Sequence, residues 1–396
     1  MQRIYISTKP LPGMSAHRRI FARLGPYRRW VFILLAPLSF ALTVLAANNP
    51  SVVESVFSQG IYRVFREVFG RVFGWIPFSV SEMLIYIILI VTFGRVAVGI
   101  ARAVKKNGKI EKADRKKQIF NMLATTGCAV GVIYFLFTIF CGLNYHRLTF
   151  AETSGLTVKP SSVEELASLY AELVQTANEL RPFVAEDERG VMTLGKSSFR
   201  LARLAPEAMA HIAADYPVLG GYTPYPKPVI FSQWMSILSI AGQYIPFTFE
   251  ANINVHTSCY RIAFVMMHEL AHFKGFMRED EANFIAYLAC RESSHISFRY
   301  SAVMMALSYV GNALHSTDGE RYRELKGMLL EGVLRDFEAD REYWRRFDGP
   351  IADISIRVND SYLRANNQHD GARSYGRMVD LLLADYRARA AVPNRE

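Results

Sequence analysis

Charged residues are missing from two long stretches of this sequence. None occurs in residues 30–47 or 119–145, and residues 78–100 contain only Glu82 near their start and Arg95 near their end. An uncharged apolar run of about 20 residues is long enough to cross a bilayer. The sequence therefore predicts three transmembrane helices, at about 30–47, 78–100 and 119–145, and a buried core helix is the alternative interpretation of each run.

Acidic residues are also missing from the N-terminus. Residues 1–30 contain seven Lys or Arg and no Asp or Glu, and residues 102–117 contain eight Lys or Arg against two acids. Basic loops are retained in the cytoplasm. Three crossings therefore predict a multi-pass protein of the plasma membrane, with a cytoplasmic N-terminus and an extracytoplasmic chain after about residue 146.

The basic excess of the whole chain is confined to this first region. Residues 1–118 carry 19 basic and 5 acidic residues, a net charge of +14; the overall charge is +10, so the remainder carries −4. The excess therefore indicates membrane topology rather than nucleic-acid binding. We expect the lipid bilayer as a partner, and no nucleic acid.

The chain has no internal repeat and no low-complexity tail. The apolar runs and the distribution of basic residues together predict a basic cytoplasmic segment at 1–29, a three-span region at 30–147 and one extracytoplasmic domain at 148–396. Residues 48–77 place Val, Phe and Ile at helical spacing opposite arginines. This pattern predicts a helix that lies on the outer membrane surface or packs against the domain, with a solvated connector as the alternative.

Two kinds of secondary structure are predicted within the domain. Ser162 and Glu165 form a capping box ahead of an apolar-periodic segment, which indicates a helix. Residues 226–256 are rich in β-branched and aromatic residues interrupted by Gly and Pro, which predicts two or three short strands. The last of these, at 249–254, is a candidate edge strand at which an extended peptide could pair. Helices are predicted for the remainder.

The stretch HELAH, at residues 268–272, carries the clearest chemical signal. Residues four apart lie on one face of a helix, so His268 and His272 can bind one ion while Glu269 sits beside it. This is the HExxH arrangement of zinc hydrolases, in which Glu269 is the general base for a zinc-activated water. Two histidines without a metal are the alternative interpretation.

A catalytic zinc ion needs a third protein ligand. Gly275 would let the chain reverse into a second helix that runs back along the first. Arg278 stands where the pattern HExxHxxGxxH has its third histidine, and a cation cannot bind the metal. A carboxylate is therefore required, and the candidates are Glu279, Asp280 and Glu281.

The order Glu279-x-x-Ala282-Asn283 resembles the E-x-x-A-D/N block of gluzincin metallopeptidases. The resemblance implies that Glu279 is the third zinc ligand, with Glu281 as the alternative, and that Asn283 orients one of the histidines. It also implies one Zn²⁺ per chain.

A longer resemblance covers most of the chain. The segments HELAHFKGF, EDEANFIAYLAC, FRYS at 298–301 and NDSYLRANNQHDGARSYGRMVDLLL resemble the uncharacterised bacterial membrane family known as domain of unknown function 3810. This family is regarded as similar to zinc metallopeptidases, so the resemblance implies a zincin-like domain but no particular substrate. The expected metallopeptidase chemistry itself predicts a peptide or protein substrate.

Further residues are candidates for the site by residue type. Hydrolysis by zinc needs a group that stabilises the oxyanion, usually a His, Tyr or Arg from elsewhere in the fold. Ordinary packing or a surface pair is the alternative for each candidate. The candidates are His295, Arg299, Tyr300 and Tyr375.

Two cysteines bracket the expected hairpin. Cys259 precedes the first helix of the motif and Cys290 closes the second, so these ends meet if the helices are antiparallel. An exported domain permits a disulfide between them. Two free thiols are the alternative.

These observations predict a mainly α protein with three N-terminal transmembrane helices. An extracytoplasmic α+β zincin-like domain, with a small sheet and an HExxH helix hairpin, follows them. The expected function is that of a membrane-anchored zinc metallopeptidase.

Two other functions remain open. Glu269-x-x-His272 and Glu292-x-x-His295 are two E-x-x-H pairs, which in helical bundles hold two iron or manganese ions. The other alternative is a non-enzymatic membrane scaffold or pseudo-protease.

Overall fold

A computed structural model describes residues 28–105, 112–195, 197–366, 368 and 377–391. The chain forms two compact units. The first comprises Met1–Leu45 and Gly94–Ile139, and the second comprises Ala46–Phe93 and Phe140–Glu396. Residues 46–93 therefore pack with the C-terminal part of the chain, which also contains the HELAH segment.

The described residues are mainly helical, as predicted. In chain order the elements are α1 (Arg28–Ala47), α2 (Pro50–Val52), a π-helical segment (Val53–Ile61), α3 (Tyr62–Gly74), α4 (Val80–Lys105), α5 (Lys112–Phe140), α6 (Phe150–Ser154), α7 (Val163–Leu180), α8 (Ser198–Ala202), α9 (Ala205–Asp215), β1 (Lys227–Pro228), α10 (Ser232–Ile237), β2 (Gly242–Ile245), β3 (Glu250–Ile253), α11 (Cys259–Phe273), α12 (Glu279–Arg291), α13 (Ile296–Thr317), α14 (Gly319–Lys326), α15 (Glu331–Arg345), α16 (Pro350–Ala365) and α17 (Met378–Ala391). Short 3₁₀ turns lie at Gly142–His146, Arg181–Phe183 and Pro217–Leu219.

Two helices of the described chain, rather than the predicted three, are long and apolar enough to span a membrane. They are Val80–Ala101 and Met122–Phe140. The most apolar part of the first helix is 0% buried, and that of the second is 11% buried. The first predicted span corresponds to a shorter apolar helix, Leu34–Ala47. Two uncovered apolar helices are consistent with a membrane association.

The small sheet confirms the predicted number of strands and corrects their order. β3 lies in the centre, parallel to β1 and antiparallel to β2, with Gly242 opposite Ile253 and Ile245 opposite Glu250. The prediction that residues 249–254 form an edge is therefore wrong, because β3 has a neighbour on each side. Strand order depends on contacts distant in sequence, and β2 is an edge strand instead.

The HELAH segment lies in the centre of the second unit. α11 and α12 pack against each other, and both pack against α13, which also contacts α7 and α17. Nearly every residue of α11 and α12 is buried. Helices that are apolar around most of their circumference require this kind of central position.

The helical segment at 50–74 packs against the C-terminal end of α11. The hydroxyl of Tyr62 lies 3.1 Å from that of Tyr244 and donates to the carbonyl of Phe273 at 3.2 Å. Arg66 donates to the carbonyl of Lys274 at 3.3 Å. Of the arrangements predicted for this segment, packing against the domain is therefore confirmed.

A buried ion pair anchors the same segment. Arg147 donates two hydrogen bonds to Glu54, at 2.8 and 2.7 Å, and its side chain is 1% exposed. It also donates to the carbonyl of Lys274 at 3.4 Å and lies over the ring of Phe276. Because Arg147 is shielded from water, Glu54 is the counter-ion that compensates its buried charge.

We expect Glu54→Gln to lower the free energy of unfolding by about 3 kcal/mol, because it leaves the buried Arg147 without its counter-ion. Circular dichroism of the purified full-length protein during denaturant unfolding measures this change. The matched control is Arg341→Gln, which breaks the exposed pair with Glu338 and should cost less than about 0.5 kcal/mol. Equal effects of the two variants would contradict the buried role of Glu54.

Candidate metal centre

A tight turn brings the two helices of the HELAH hairpin together. α11 ends at Phe273 and α12 begins at Glu279. Between them Gly275 has a φ of +94°, and a Cβ there would lie 3.0 Å from the ring of Tyr62. Glycine is therefore required at this position by both conformation and space. The predicted reversal at Gly275 is confirmed.

Three side chains meet across the hairpin. The Nε2 atoms of His268 and His272 lie 3.1 and 3.8 Å from Oε2 of Glu279. The ligand atoms of these three residues all lie within 4.8 Å of one another. Two imidazole nitrogens and a carboxylate oxygen are the donor set of many catalytic zinc sites, so the residues present fit a zinc ion.

Hydrogen bonds orient both imidazole rings. Nδ1 of His268 lies 2.8 Å from Oδ1 of Asn283, and Nδ1 of His272 lies 2.8 Å from the carbonyl oxygen of Phe276. Since a carbonyl oxygen only accepts hydrogen bonds, Nδ1 of His272 must donate to Phe276. Nδ1 of His268 donates to Oδ1 of Asn283 for the same reason. Each Nε2 therefore faces Glu279, as metal-binding histidines require. The structure brings Asn283 to the position that the sequence resemblance implied.

The charges of the cluster hold Glu279 in its ionised form. Burial raises the pKa of Glu279, but the hydrogen bonds and charges of His268 and His272 outweigh it and hold this pKa well below its usual range. Burial lowers the pKa of His272, whereas the carboxylate of Glu279 raises it to about 9. A buried carboxylate that stays ionised is a strong ligand for a cation.

Glu269 is buried beside this cluster and next to the edge strand β2. Burial raises the pKa of its carboxyl group, and the two histidines oppose that shift. The backbone N–H of Tyr244 faces the carboxylate and also opposes that shift. A Cβ on Gly242 would lie 2.4 Å from Oε1 of Glu269. The absence of a side chain at Gly242 therefore creates the space in which this carboxylate lies.

The two alternative third ligands have different partners. Glu281 accepts a hydrogen bond from the backbone N–H of Phe150 at 3.0 Å and pairs with Arg278 at 3.0 Å. Asp280 pairs with Arg377 at 3.2 Å. The structure therefore places Glu279, rather than Glu281 or Asp280, with the histidines.

The candidates for oxyanion stabilisation have separate environments in the structure. His295 caps the N-terminus of α13, where Nδ1 accepts from the backbone N–H of Ser297 at 3.3 Å. Arg299 is exposed. Tyr300 is buried and donates to Asp336 at 2.7 Å, and Tyr375 lies outside the described residues. The described contacts do not gather these residues around the metal cluster.

Cys259 and Cys290 are free thiols. The expected disulfide between Cys259 and Cys290 is therefore wrong, and the alternative of free thiols holds. The sulfur of Cys290 is buried and faces the carbonyl of Ala263 at 3.8 Å, one turn along α11 from Cys259. The longitudinal offset between the helices explains why the two cysteines do not pair.

Sequence reasoning missed two residues that support the cluster. The side-chain oxygen of Gln368 accepts from the backbone N–H of Glu279 at 3.2 Å. Tyr309, on α13, lies close enough to Asn283 and Glu279 for both to act on the pKa of its hydroxyl group. Gln368 belongs to the late segment of the family resemblance, whereas no local pattern marks Tyr309.

The fold and the cluster define a class: a mainly helical protein with two candidate membrane helices and a largely buried His–His–Glu group able to hold a metal ion. Residues 57–383 match the family described as protein of unknown function DUF3810, so the chain belongs to that family. No curated protein and no solved structure matches the chain. The site must therefore be interpreted from its own geometry.

The ligand set gives a direct prediction for metal binding. We expect Glu279→Gln to weaken zinc binding at least about 100-fold, because the substitution removes the charged ligand atom. Titration of the purified full-length protein with zinc, in competition with a chromophoric chelator, measures this affinity.

The matched control for this prediction is Glu281→Gln. Because Glu281 pairs with Arg278, this variant should bind zinc within about threefold of the wild type. Loss of zinc in Glu281→Gln, together with retention in Glu279→Gln, would reverse the assignment of the third ligand.

Proposed function

We propose that the protein is a membrane-anchored zinc metallopeptidase. The observation that carries the proposal is the group formed by the partly buried His268 and the buried His272 and Glu279, with Glu269 beside it. Three protein ligands leave a position for water or substrate, which is the pattern of a catalytic rather than a structural zinc site.

The residues of this chain divide the chemistry among them. His268, His272 and Glu279 would hold the ion. A zinc ion bound there supplies Lewis acidity, which activates water and polarises a substrate carbonyl.

Glu269 is the proposed general base and acid. Its carboxylate would accept a proton from the attacking water and pass it to the nitrogen of the leaving amine. Burial raises the pKa of Glu269, so its carboxyl group holds a proton more readily than an exposed glutamate.

The edge strand β2 supports a peptide as the substrate. Among the described strands, β2 pairs only with β3. Its other side is an edge at which an extended peptide can add main-chain hydrogen bonds. Because Gly242 and Tyr244 of β2 both contact Glu269, a peptide on this edge would lie near the proposed general base.

The packing of the second unit supports an extracytoplasmic location for the site. Residues 46–79 and 141–396 pack together in this unit, so they lie on one side of any membrane crossed by the two candidate spans between them. The loop at 102–117 joins the spans and carries eight basic residues, which favours the cytoplasm. The unit would then face outward, whether or not Leu34–Ala47 also crosses.

The geometry does not favour a site for two iron or manganese ions. Glu292 is exposed and pairs with Arg291 at 2.7 Å, and His295 caps a helix. The second E-x-x-H pair thus lacks the inward-facing arrangement of a bundle site. In the described part of the chain, the group formed by His268, His272 and Glu279 is the one with metal-binding geometry.

Elemental mass spectrometry of the detergent-purified protein, with Glu269→Gln beside it, tests the proposal. We expect about one zinc per chain in both proteins, because Glu269 is not a ligand. Cleavage of a mixture of quenched-fluorescent peptides should fall by about 10²–10⁴-fold in the variant, because proton transfer is lost. Two irons per chain, or equal cleavage by the variant, would refute the proposal.

Gly242→Ala should separate metal binding from turnover. The new methyl group would meet Glu269 and Val265, both at 2.4 Å, and would displace the carboxylate of Glu269. We expect zinc content to stay the same while cleavage falls about 100-fold, since catalysis tolerates little misplacement.

Gly60→Ala is the matched control for Gly242→Ala. A Cβ on Gly60 would have one neighbour, at an ordinary contact distance of 3.7 Å, so cleavage should stay near the wild-type rate. If Gly242→Ala also cleaved at that rate, Glu269 would not need its observed position.

A further inference from the structure

The helical segment at 50–74 has a second apolar face that no part of the described chain covers. One face is buried and carries Tyr62, Arg66 and Gly70. The other carries Val64, Val68 and Val72, which are 59%, 53% and 56% exposed, and it continues to Trp75, which is 89% exposed. A connector surrounded by water would have no reason to carry this second face.

The exposed valines form a continuous stripe. Val64, Val68 and Val72 recur every fourth residue, so they lie along one side of α3. Val52 and Val56, which are also exposed and four residues apart, lie earlier in the segment and are separated from Val64 by Gly60. A contiguous apolar stripe of this kind marks an interaction surface, whereas scattered exposed apolar residues do not.

A second apolar patch lies around the start of α10. Ile230, Phe231 and Trp234 are exposed. The ring of Phe231 packs on the edge of Tyr86, with ring centres 5.8 Å apart. Glu82 accepts hydrogen bonds from the backbone N–H groups of Ile230 and Phe231, both at 3.1 Å. The patch is therefore attached to the first two turns of the candidate span Val80–Ala101.

The valine stripe lies on a helix that contacts the end of the other candidate span. On α3 the rings of Phe65 and Phe69 pack against Phe140, with ring centres 5.4 and 5.6 Å apart. Phe140 is the last residue of the candidate span Met122–Phe140. The stripe thus lies beside the place where the chain would leave the membrane.

Buried charges connect this helix to the beginning of the span Val80–Ala101. The Lys227 ammonium donates to the carbonyls of Phe73 and Phe78, at 2.8 and 2.9 Å, and pairs with Glu250. Glu250 accepts from the backbone N–H groups of Val80 and Ser81, at 3.0 and 2.8 Å. The end of α3, the sheet and the first turn of α4 are therefore held together.

We infer that these two patches form a surface that rests in the interfacial layer of the lipid bilayer. This bilayer-contact surface comprises Val64, Val68, Val72, Trp75, Ile230, Phe231 and Trp234. The inference rests on the membrane anchoring proposed above, but not on the peptidase activity.

Continuity with the candidate spans selects the bilayer over a protein partner. Phe231 of one patch contacts Tyr86 within a span, and the helix that carries the other patch contacts Phe140 at the end of a span through Phe65 and Phe69, so the membrane would already lie there. Trp75 and Trp234 supply one tryptophan to each patch, and tryptophan is enriched at the boundary between lipid and water. An amphipathic helix lying flat at that boundary buries its apolar face among the acyl chains.

Site-directed fluorescence of the full-length protein in phosphatidylcholine–phosphatidylglycerol vesicles tests this surface. Val68→Cys and Trp234→Cys, each labelled with an environment-sensitive fluorophore, report on the two patches. Glu324→Cys is the control, because Glu324 is an exposed polar residue on α14. The background replaces the native cysteines with alanine at Cys128, Cys141, Cys259 and Cys290.

We expect nitroxide-bearing lipids to quench the labels at 68 and 234 at least about threefold more strongly than the label at 324, with aqueous iodide showing the opposite order. Iodide quenching at 68 and 234 as strong as at 324 would overturn the inference. Protection from both quenchers would also overturn it, in favour of a second copy or another protein on this surface.

Two further measurements keep the test decisive. If the alanine background does not fold, native tryptophan fluorescence provides a substitute test. Brominated lipids should quench this fluorescence much less in the double variant Trp75→Phe and Trp234→Phe than in the wild type. Unchanged quenching would overturn the inference. Release of the wild-type chain from vesicles by alkaline carbonate would disprove the anchoring and this surface together. Neither measurement depends on peptide cleavage. Zinc content and turnover therefore test the peptidase proposal separately from the proposed bilayer-contact surface.

Discussion

A carboxylate buried between two imidazoles is the constraint around which the second unit is organised. An ionised Glu279 in the interior costs several kcal/mol unless it is paired and hydrogen-bonded. His268 and His272 provide the pairing, and the amide of Gln368 holds the start of α12 in place. The histidines in turn need acceptors for their Nδ1 atoms, and these come from α12 and from the turn before it. The hairpin and the cluster therefore depend on each other.

The second requirement comes from the end of α11. The last carbonyl groups of a helix have no partners within it, and in a buried helix they must find donors elsewhere. Tyr62, Arg66 and Arg147 supply these donors to the carbonyls of residues 273 and 274. All three donors come from segments next to the candidate membrane spans. The helix that carries both histidines is thus completed by the membrane-proximal part of the chain.

This arrangement connects the proposed catalysis to the proposed anchoring. Tyr62 bonds to the hydroxyl of Tyr244 on β2, the strand that lies against Glu269 at Gly242. The opposite side of the same helical segment carries the uncovered valines. One segment therefore has the proposed bilayer surface on one side and supports the proposed general base through the other. A peptidase organised in this way would hold its site at a defined height above the membrane.

Local pattern determined much of this architecture. The four-residue spacing of His268 and His272, the reversal at Gly275 and the capping box of Ser162 and Glu165 are all visible in the sequence and present in the structure, because each depends on residues within one or two helical turns. Two long apolar runs likewise correspond to two helices with the composition of membrane spans.

Only the tertiary structure decided the rest. Residues two apart on a helix point in nearly opposite directions, so the packing of α12 selects Glu279 for the histidines and leaves Glu281 to Arg278. The offset of the hairpin leaves Cys259 and Cys290 unbonded, and strand order makes β2 an edge. Sequence determines which groups a helix or strand carries. Which of them meet depends on how those elements pack, through contacts between residues far apart in the chain.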